Sequence, residues 1–176
     1  MATIRVEKPG DTAVADAIVA AAFGPGRFAK SAYRLREGVA CVAELSFVAE
    51  EGKRIVGTVR YWPVSIGGAA ALMLGPIAIV ADRQGQGIAL ALMQTTLVDA
   101  KKRGHRAVIL VGDEPYYARA GFARIQPTGR ITMPGPVDYT RLLGLSLTDG
   151  ALEAMTGDIR KARMTVPVAA AGCAMG

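Results

Sequence analysis

Six residues, Gln84-Gly85-Gln86-Gly87-Ile88-Ala89, constrain this chain more than any others. They follow an apolar, strand-like run from Leu72 to Val80 and open a helical run from Ile88 to Arg103. A glycine-rich turn therefore stands at a helix N-terminus. The first backbone N–H groups of a helix have no intrahelical partner, and the helix dipole adds positive potential where they converge. A pyrophosphate fits such a point. Gly85 and Gly87 remove the Cβ atoms that would hold a phosphate away from the backbone. An ordinary tight strand-to-helix turn uses the same residue types, so the hexapeptide by itself leaves both uses open.

Two other phosphate motifs are excluded. No Lys-Ser or Lys-Thr pair follows the second glycine, so the segment is not a P-loop. A dinucleotide fingerprint needs Gly or Ala where Leu90 stands. Gly24-Pro25-Gly26-Arg27-Phe28-Ala29 matches G-x-G-x-x-A literally, but it follows an Ala-rich helical run and not a strand. It reads as a loop between two helices.

A second signal lies downstream, at Tyr116-Tyr117-Ala118-Arg119-Ala120-Gly121-Phe122. Together with the Gln84 hexapeptide it resembles the GNAT superfamily of acyl-CoA-dependent N-acetyltransferases, and within it the bacterial YhbS-like branch. Gln84, Gly87 and Ala89 match the family's Q/R-x-x-G-x-G/A. Tyr116, Tyr117, Gly121 and Phe122 match its aromatic-Tyr-x-x-x-Gly-Phe. The resemblance is strong from about Leu45 to Phe122. It is weaker before that, and afterwards only Pro134-Gly135-Pro136 and a following apolar run match. The resemblance implies that Gln84, Gly85, Gln86, Gly87, Ile88 and Ala89 bind the coenzyme A pyrophosphate. It implies that Ile77, Ala78 and Ile79 contact the pantetheine arm, and that Tyr117 serves the leaving sulfur. Read from the residues alone, Ile77 and Ile79 are buried strand residues and Tyr117 is a core tyrosine. Tyr116 is assigned to packing.

Composition narrows the classes further. The chain has 176 residues, 51% apolar and 20% charged, which is one globular domain with a real core. The net charge of +6 suits an anionic ligand such as coenzyme A. The charges are scattered, and the cluster Lys101-Lys102-Arg103 falls in the last turn of a helix, where cations oppose the dipole. No nucleic-acid motif is present. Cys41 and Cys173 do not form a disulfide framework, and the single histidine, His105, offers no metal constellation. Both points fit a cytoplasmic protein without a metal. The first ten residues lack the apolar core of a secretory signal. Tyr61 to Ala81 is uncharged and long enough to span a bilayer, yet its prolines and Gly67-Gly68 read better as two buried strands joined by a hairpin turn.

The remaining pattern predicts a strand at Thr3 to Val6 and a helix capped by Asp11, with Val14, Ile18 and Ala21 on one face. A second helix is expected from Phe28 to Glu37. Strands are expected at Leu45 to Ala49, Ile55 to Val64 and Ala70 to Val80, the last with a bulge or a splay at Gly75-Pro76. The helix from Ile88 should bury Ile88, Ala89, Leu92, Met93, Thr96, Leu97 and Ala100. Ala107 to Val111 should run parallel to the preceding strand. A short helix at Glu114 to Ala120, a strand from Phe122 to Ile125 and a final strand at Leu142 to Leu147 follow. The tail, residues 166–176, is left without assigned structure.

The fold expected is α/β of the α+β type. It has a mixed, mostly antiparallel central sheet, helices on both faces and one splayed parallel strand pair, in a single domain over residues 1–176. The function expected is acetyl transfer from acetyl-CoA to a primary amine, on a small molecule or a protein. The rival is a non-catalytic acyl-CoA-binding sensor or partner module. No membrane or nucleic-acid partner is expected, and a homodimer is left open. Glu44, Asp82, Asp113 and Glu114 are candidates for the general base. The acceptor cleft is placed between the two N-terminal helices and the chain after Phe122. Arg34 and Arg36 lie at its edge, with at most one of them facing it.

Overall fold

The computed structural model describes residues 1–163; the tail at 166–176 and Cys173 lie outside them. The strands are β1 (Thr3–Val6), β2 (Phe47–Glu51), β3 (Arg54–Ile66), β4 (Ala69–Ile79), β5 (Ala107–Val111), β6 (Ala123–Arg124), β7 (Ile131–Thr132), β8 (Leu142–Ser146) and β9 (Gly157–Lys161). The helices are α1 (Thr12–Phe23), α2 (Ser31–Arg34), α3 (Ile88–Lys102) and α4 (Glu114–Tyr117). The sheet order is β1-β2-β3-β4-β5-β8-β6. All of these pairs are antiparallel except β4 with β5. The expected mixed, mostly antiparallel sheet is therefore observed, with β4–β5 as the expected parallel pair; β7 and β9 add a second, two-residue parallel pair off this path.

Strand alternation explains the layers. Ala49, Val59, Tyr61, Leu72 and Leu74 pack with Ile88, Leu92, Met93 and Leu97 of α3. Val48, Ile55 and Ala78 pack with Ile18 and Val19 of α1. Neighbours in sequence, such as Val48 and Ala49, thus serve opposite faces. Leu92 and Met93 are fully buried, and each contributes about 1.5–3 kcal/mol. Thr96, also buried, is reconciled with that core by hydrogen bonds. Its hydroxyl lies 2.7 Å from Tyr61 Oη and donates to Leu92 O. Gly67 and Gly68, with φ of 55° and 88°, make the expected hairpin turn between β3 and β4.

Five expectations need correction. The buried face of α1 is Ala15, Ile18 and Val19, whereas Val14 is exposed. The buried face is turned by about one residue from the expected one, because an Ala-rich helix carries a weak amphipathic signal. Asp11 does stand at the α1 N-cap, but its carboxylate accepts from Arg5 and from Lys8 N–H instead of capping the helix. The expected helix at Phe28 to Glu37 is broken. A 3-10 turn covers Pro25–Ala29, Lys30 is extended, and α2 is one turn long. In the helix from Ile88, Ala89 is only half-buried. The chain also continues past β8. Here β9 pairs with the far end of β3, Val64↔Lys161 to Ile66↔Ile159, and with β7. Alternating charge in Gly157–Lys161 hid a strand whose single buried residue is Ile159.

Candidate active site

The site begins where β4 leaves β5. Their pairing covers only Leu72↔Val108 and Met73↔Ile109. Beyond Met73 the β5-facing edge of β4 has no strand partner among the described residues, while its other edge stays on β3 through Gly57↔Ile79. The register on β3 shifts between Val59↔Ile77 and Tyr61↔Leu74, so Gly75 and Pro76 together oppose Arg60. This is the expected bulge, and it re-aims the strand. Gly75 has φ 130°, a glycine conformation. Trp62 Nε1 donates to Gly75 O at 2.6 Å and holds the bulge.

The open edge leads to the glycine turn. Gly87, at φ 81°, is the N-cap of α3, and Gly85 has φ 74°. A Cβ at either would meet nothing within 4 Å, so the space over the turn is open. The N–H groups of Gly85, Gln86 and Gly87 have no backbone acceptor among the described residues. Those of Ile88 and Ala89 open the helix, where no intrahelical acceptor exists. Nearby carboxylates are already engaged. Asp82 takes both Arg54 nitrogens at 2.8 Å, and Glu51 takes Arg83 Nε at 2.8 Å. The Arg54 contact holds the Asp82 carboxyl at about 2, below its usual range. An incoming anion therefore meets amides and neutralised acids. The residues present fit a pyrophosphate and an extended amide-bearing arm.

A cavity of about 430 Å³ adjoins the splay. It lies between α1, the segment Arg27 to Arg36, and the loop from Met133 to Arg141. Ser31 Oγ donates to Pro136 O at 2.6 Å and ties two of these walls together. Ile77 and Tyr117 line this cavity. Ile79 and Gln84 line a second groove beside α1, and Ala78 is buried against α1. Gly85, Gln86 and Gly87 are exposed, Ile88 is buried and Ala89 is intermediate.

The chain resembles known proteins in sequence and in fold. The acetyltransferase (GNAT) domain family matches residues 43–124. The Escherichia coli K12 protein "Uncharacterized N-acetyltransferase YhbS" is 33% identical over 121 residues, 68% of this chain and 72% of the relative. The chain belongs to the GNAT family of N-acetyltransferases. The crystal structure of Escherichia coli YhbS in complex with CoA superposes with a TM-score of 0.77 at 29% identity, over 92% of this chain and 89% of that one. A GNAT acetyltransferase from Brucella melitensis in complex with acetyl-CoA gives a TM-score of 0.69 at 28% identity, over 92% and 96%.

Within this GNAT chain the two tyrosines separate cleanly. Tyr116 is exposed, touching Tyr117 edge-on at 5.2 Å and lying under Arg119. It packs from outside. Tyr117 is half-buried, packs edge-on against Phe122 at 6.2 Å and reaches the cavity. Burial first, then Tyr116 and Asp113, push the Tyr117 phenol above its ordinary value. It is a protonated donor at neutral pH.

Gly112 was not singled out in the sequence. A Cβ there would lie 2.2 Å from Tyr117 Cε2, so this glycine makes the room in which the Tyr117 ring sits. Gly112→Ala is expected to displace the ring and to cost about 1–3 kcal/mol. Denaturant unfolding checks it, and a cycle with Tyr117→Ala reads the contact itself. Additive effects in that cycle would exclude the packing account.

The GNAT cavity holds none of the four carboxylates considered as a base. Asp82 pairs with Arg54, Asp113 with Arg141 and Glu114 with Arg124, and neither these three nor Glu44 lines it. Its own acids are Asp16, bound to Arg60, and Asp138, which accepts from Thr140. His105 is half-buried at the far end of α3. Arg34 and Arg36 both line the cavity, not one of them at most. The regular helix on which that limit rested does not form, and the turn after α2 brings both round to the same side.

Proposed function

We propose that this protein transfers an acetyl group from acetyl-CoA to a primary amine, by direct attack in a ternary complex. The single domain over residues 1–176 and a cytoplasmic location belong to the same proposal. One observation carries it: the unpaired edge of β4 runs from the cavity that Tyr117 reaches to the partnerless amides at the head of α3. The CoA and acetyl-CoA in the Escherichia coli and Brucella melitensis structures support that use of the two features.

In this scheme the amides from Gly85 to Ala89 receive the pyrophosphate. The outward groups of Ile77 and the N–H of Ile79 pair with the amides of the arm, as a strand edge pairs with an added strand, while Ile79 O accepts from Gln84 Nε2 at 3.3 Å. The thioester then points to the splay. The amine nitrogen attacks its carbonyl carbon, the C–N bond forms and the C–S bond breaks. The leaving sulfur takes the Tyr117 proton, and the amine proton passes to water, from which Tyr117 is reprotonated.

Gly87→Glu tests the cofactor assignment. It places a carboxylate where the pyrophosphate would sit, and a side chain at φ 81°. Acetyl-CoA affinity by calorimetry is expected to fall at least ~10-fold, which is ~1.4 kcal/mol. Unchanged affinity in a folded variant removes the assignment. Release of coenzyme A across a panel of amines tests the reaction. Tight binding with no release over the whole panel would favour the non-catalytic acyl-CoA-binding module.

A further inference from the structure

Arg36 stands out among the charged residues of the cavity. Leu35, 2% exposed, anchors the turn after α2 in the core, and Arg36 projects next to it into the cavity. Its guanidinium carbon lies 5.9 Å from the centre of the Trp62 ring. Its Nη2 is 2.9 Å from where a Cβ on Gly75 would be, so it rests on the bulge at the splay. Its Nε is sealed from solvent and has no hydrogen-bond partner, and no carboxylate among the described residues pairs with it. Arg60, the buried arginine of the cavity, is by contrast satisfied: it holds Glu7 and Asp16. The cavity is lined by six cationic side chains and two carboxylates, Asp16 and Asp138, each already engaged.

An unpaired cation in a poorly solvated site is costly, and an anion that completes it is favoured. Burial lowers the Arg36 pKa only to about 10, so the group is charged at neutral pH. A guanidinium held over an indole ring, with its carbon 5.9 Å from the ring centre, presents a planar fork, which suits bidentate capture of a carboxylate. Because Nε is sealed, the two terminal nitrogens remain to serve a ligand. Gly75 opens the splay, and Pro76, Ile77 and Tyr117 line the same cavity, so the ligand sits at the reacting end.

We propose that Arg36, lying over the Trp62 ring beside the Gly75 bulge, is a carboxylate-binding residue, and that the acceptor amine carries that carboxylate. The proposal rests on the acetyltransferase scheme for the placement of the acceptor. A dicarboxylic acyl donor would bring the same group to the same place from the other substrate, and the test separates the two.

Trp62 is the only tryptophan in the chain, so its fluorescence reports on Arg36 without any turnover. The protein is titrated with a series of N-acetylated amino acids and with the matching carboxamides. Saturable change with the acids, absence of change with the amides, and loss of the response in Arg36→Gln are expected. Equal responses to acid and amide, a response that survives in Arg36→Gln, or none to any acid overturns the proposal. The kinetic arm measures coenzyme A release with amino acids against their amides. Arg36→Ala is expected to raise the Michaelis constant of the acids by ~10–100-fold and to leave that of the amides unchanged, since a hydrogen bond to a charged group is of that size. A parallel run compares succinyl-CoA with acetyl-CoA on a neutral amine. Selective loss of succinyl transfer in Arg36→Ala, with acid and amide acceptors equal, keeps the carboxylate site but overturns the acceptor as its carrier. Failure of acetyl-CoA to bind the wild-type protein by calorimetry refutes the acetyltransferase scheme separately, because the fluorescence titration contains no coenzyme A.

Discussion

Tyr117→Phe is expected to lower the turnover rate by up to ~10²–10³ while acetyl-CoA affinity stays near its wild-type value. The size follows from removing one donor that acts only when charge develops on sulfur, and not on the bound thioester. The structure gives the hydroxyl the right character. The ring is clamped between Phe122, Tyr116 and the space left by Gly112, and burial keeps the phenol protonated. Tyr116→Phe is the control. That ring is exposed and outside the cavity, so its variant should turn over nearly as fast as the wild type. Two variants of equal rate, or a slower Tyr116→Phe, would reverse the assignment of the pair.

The features legible in the sequence share a physical origin. The glycine turn, the Gly75-Pro76 interruption and the α3 periodicity are local: each follows from what a few adjacent residues can or cannot do. Pro76 cannot donate to a ladder, and the chain resolves this by the bulge opposite Arg60. What stayed hidden depends on residues far apart in sequence. Gly112 matters because Tyr117 folds back over it, and Trp62 matters because its indole reaches Gly75 O thirteen residues on. The cavity wall from Met133 to Arg141 is tied to α2 by a hydrogen bond from Ser31 to Pro136, across 105 residues. No periodicity announces such a contact. The helix expected at Phe28 to Glu37 failed for the same reason: Lys30 is extended and Ser31 is drawn to the far loop. Local propensity there gives way to tertiary bonding.

Arg60→Ala is expected to destabilise the fold by about 3–5 kcal/mol, a large share of the roughly 5–15 kcal/mol that holds a domain of this kind together. Arg60 is 3% exposed inside β3 and each of its three guanidinium nitrogens donates to a carboxylate. Nη2 and Nε donate to Glu7 at 2.7 and 3.0 Å, and Nη1 donates to Asp16 at 2.6 Å. The Glu7 side chain is itself only 4% exposed, so truncating Arg60 leaves a carboxylate sealed from water with the Thr12 hydroxyl at 3.1 Å. That orphaned charge, more than the lost attraction, sets the cost. Asp16 is 34% exposed and can be solvated, so Asp16→Ala should cost clearly less. Replacing Arg60 by Met together with Glu7 by Leu should recover much of the loss, because apolar residues of similar volume often replace a buried pair without penalty. Denaturant midpoints of the four proteins decide it. A loss below ~1 kcal/mol for Arg60→Ala, or an Asp16→Ala loss as large, would show that Glu7 is not the buried charge in question. The consequence reaches the site: Arg60 lines the cavity, opposes Gly75 and Pro76 across the ladder, and ties α1 to β3. Variants that remain folded should therefore bind acceptor less well even where acetyl-CoA still binds.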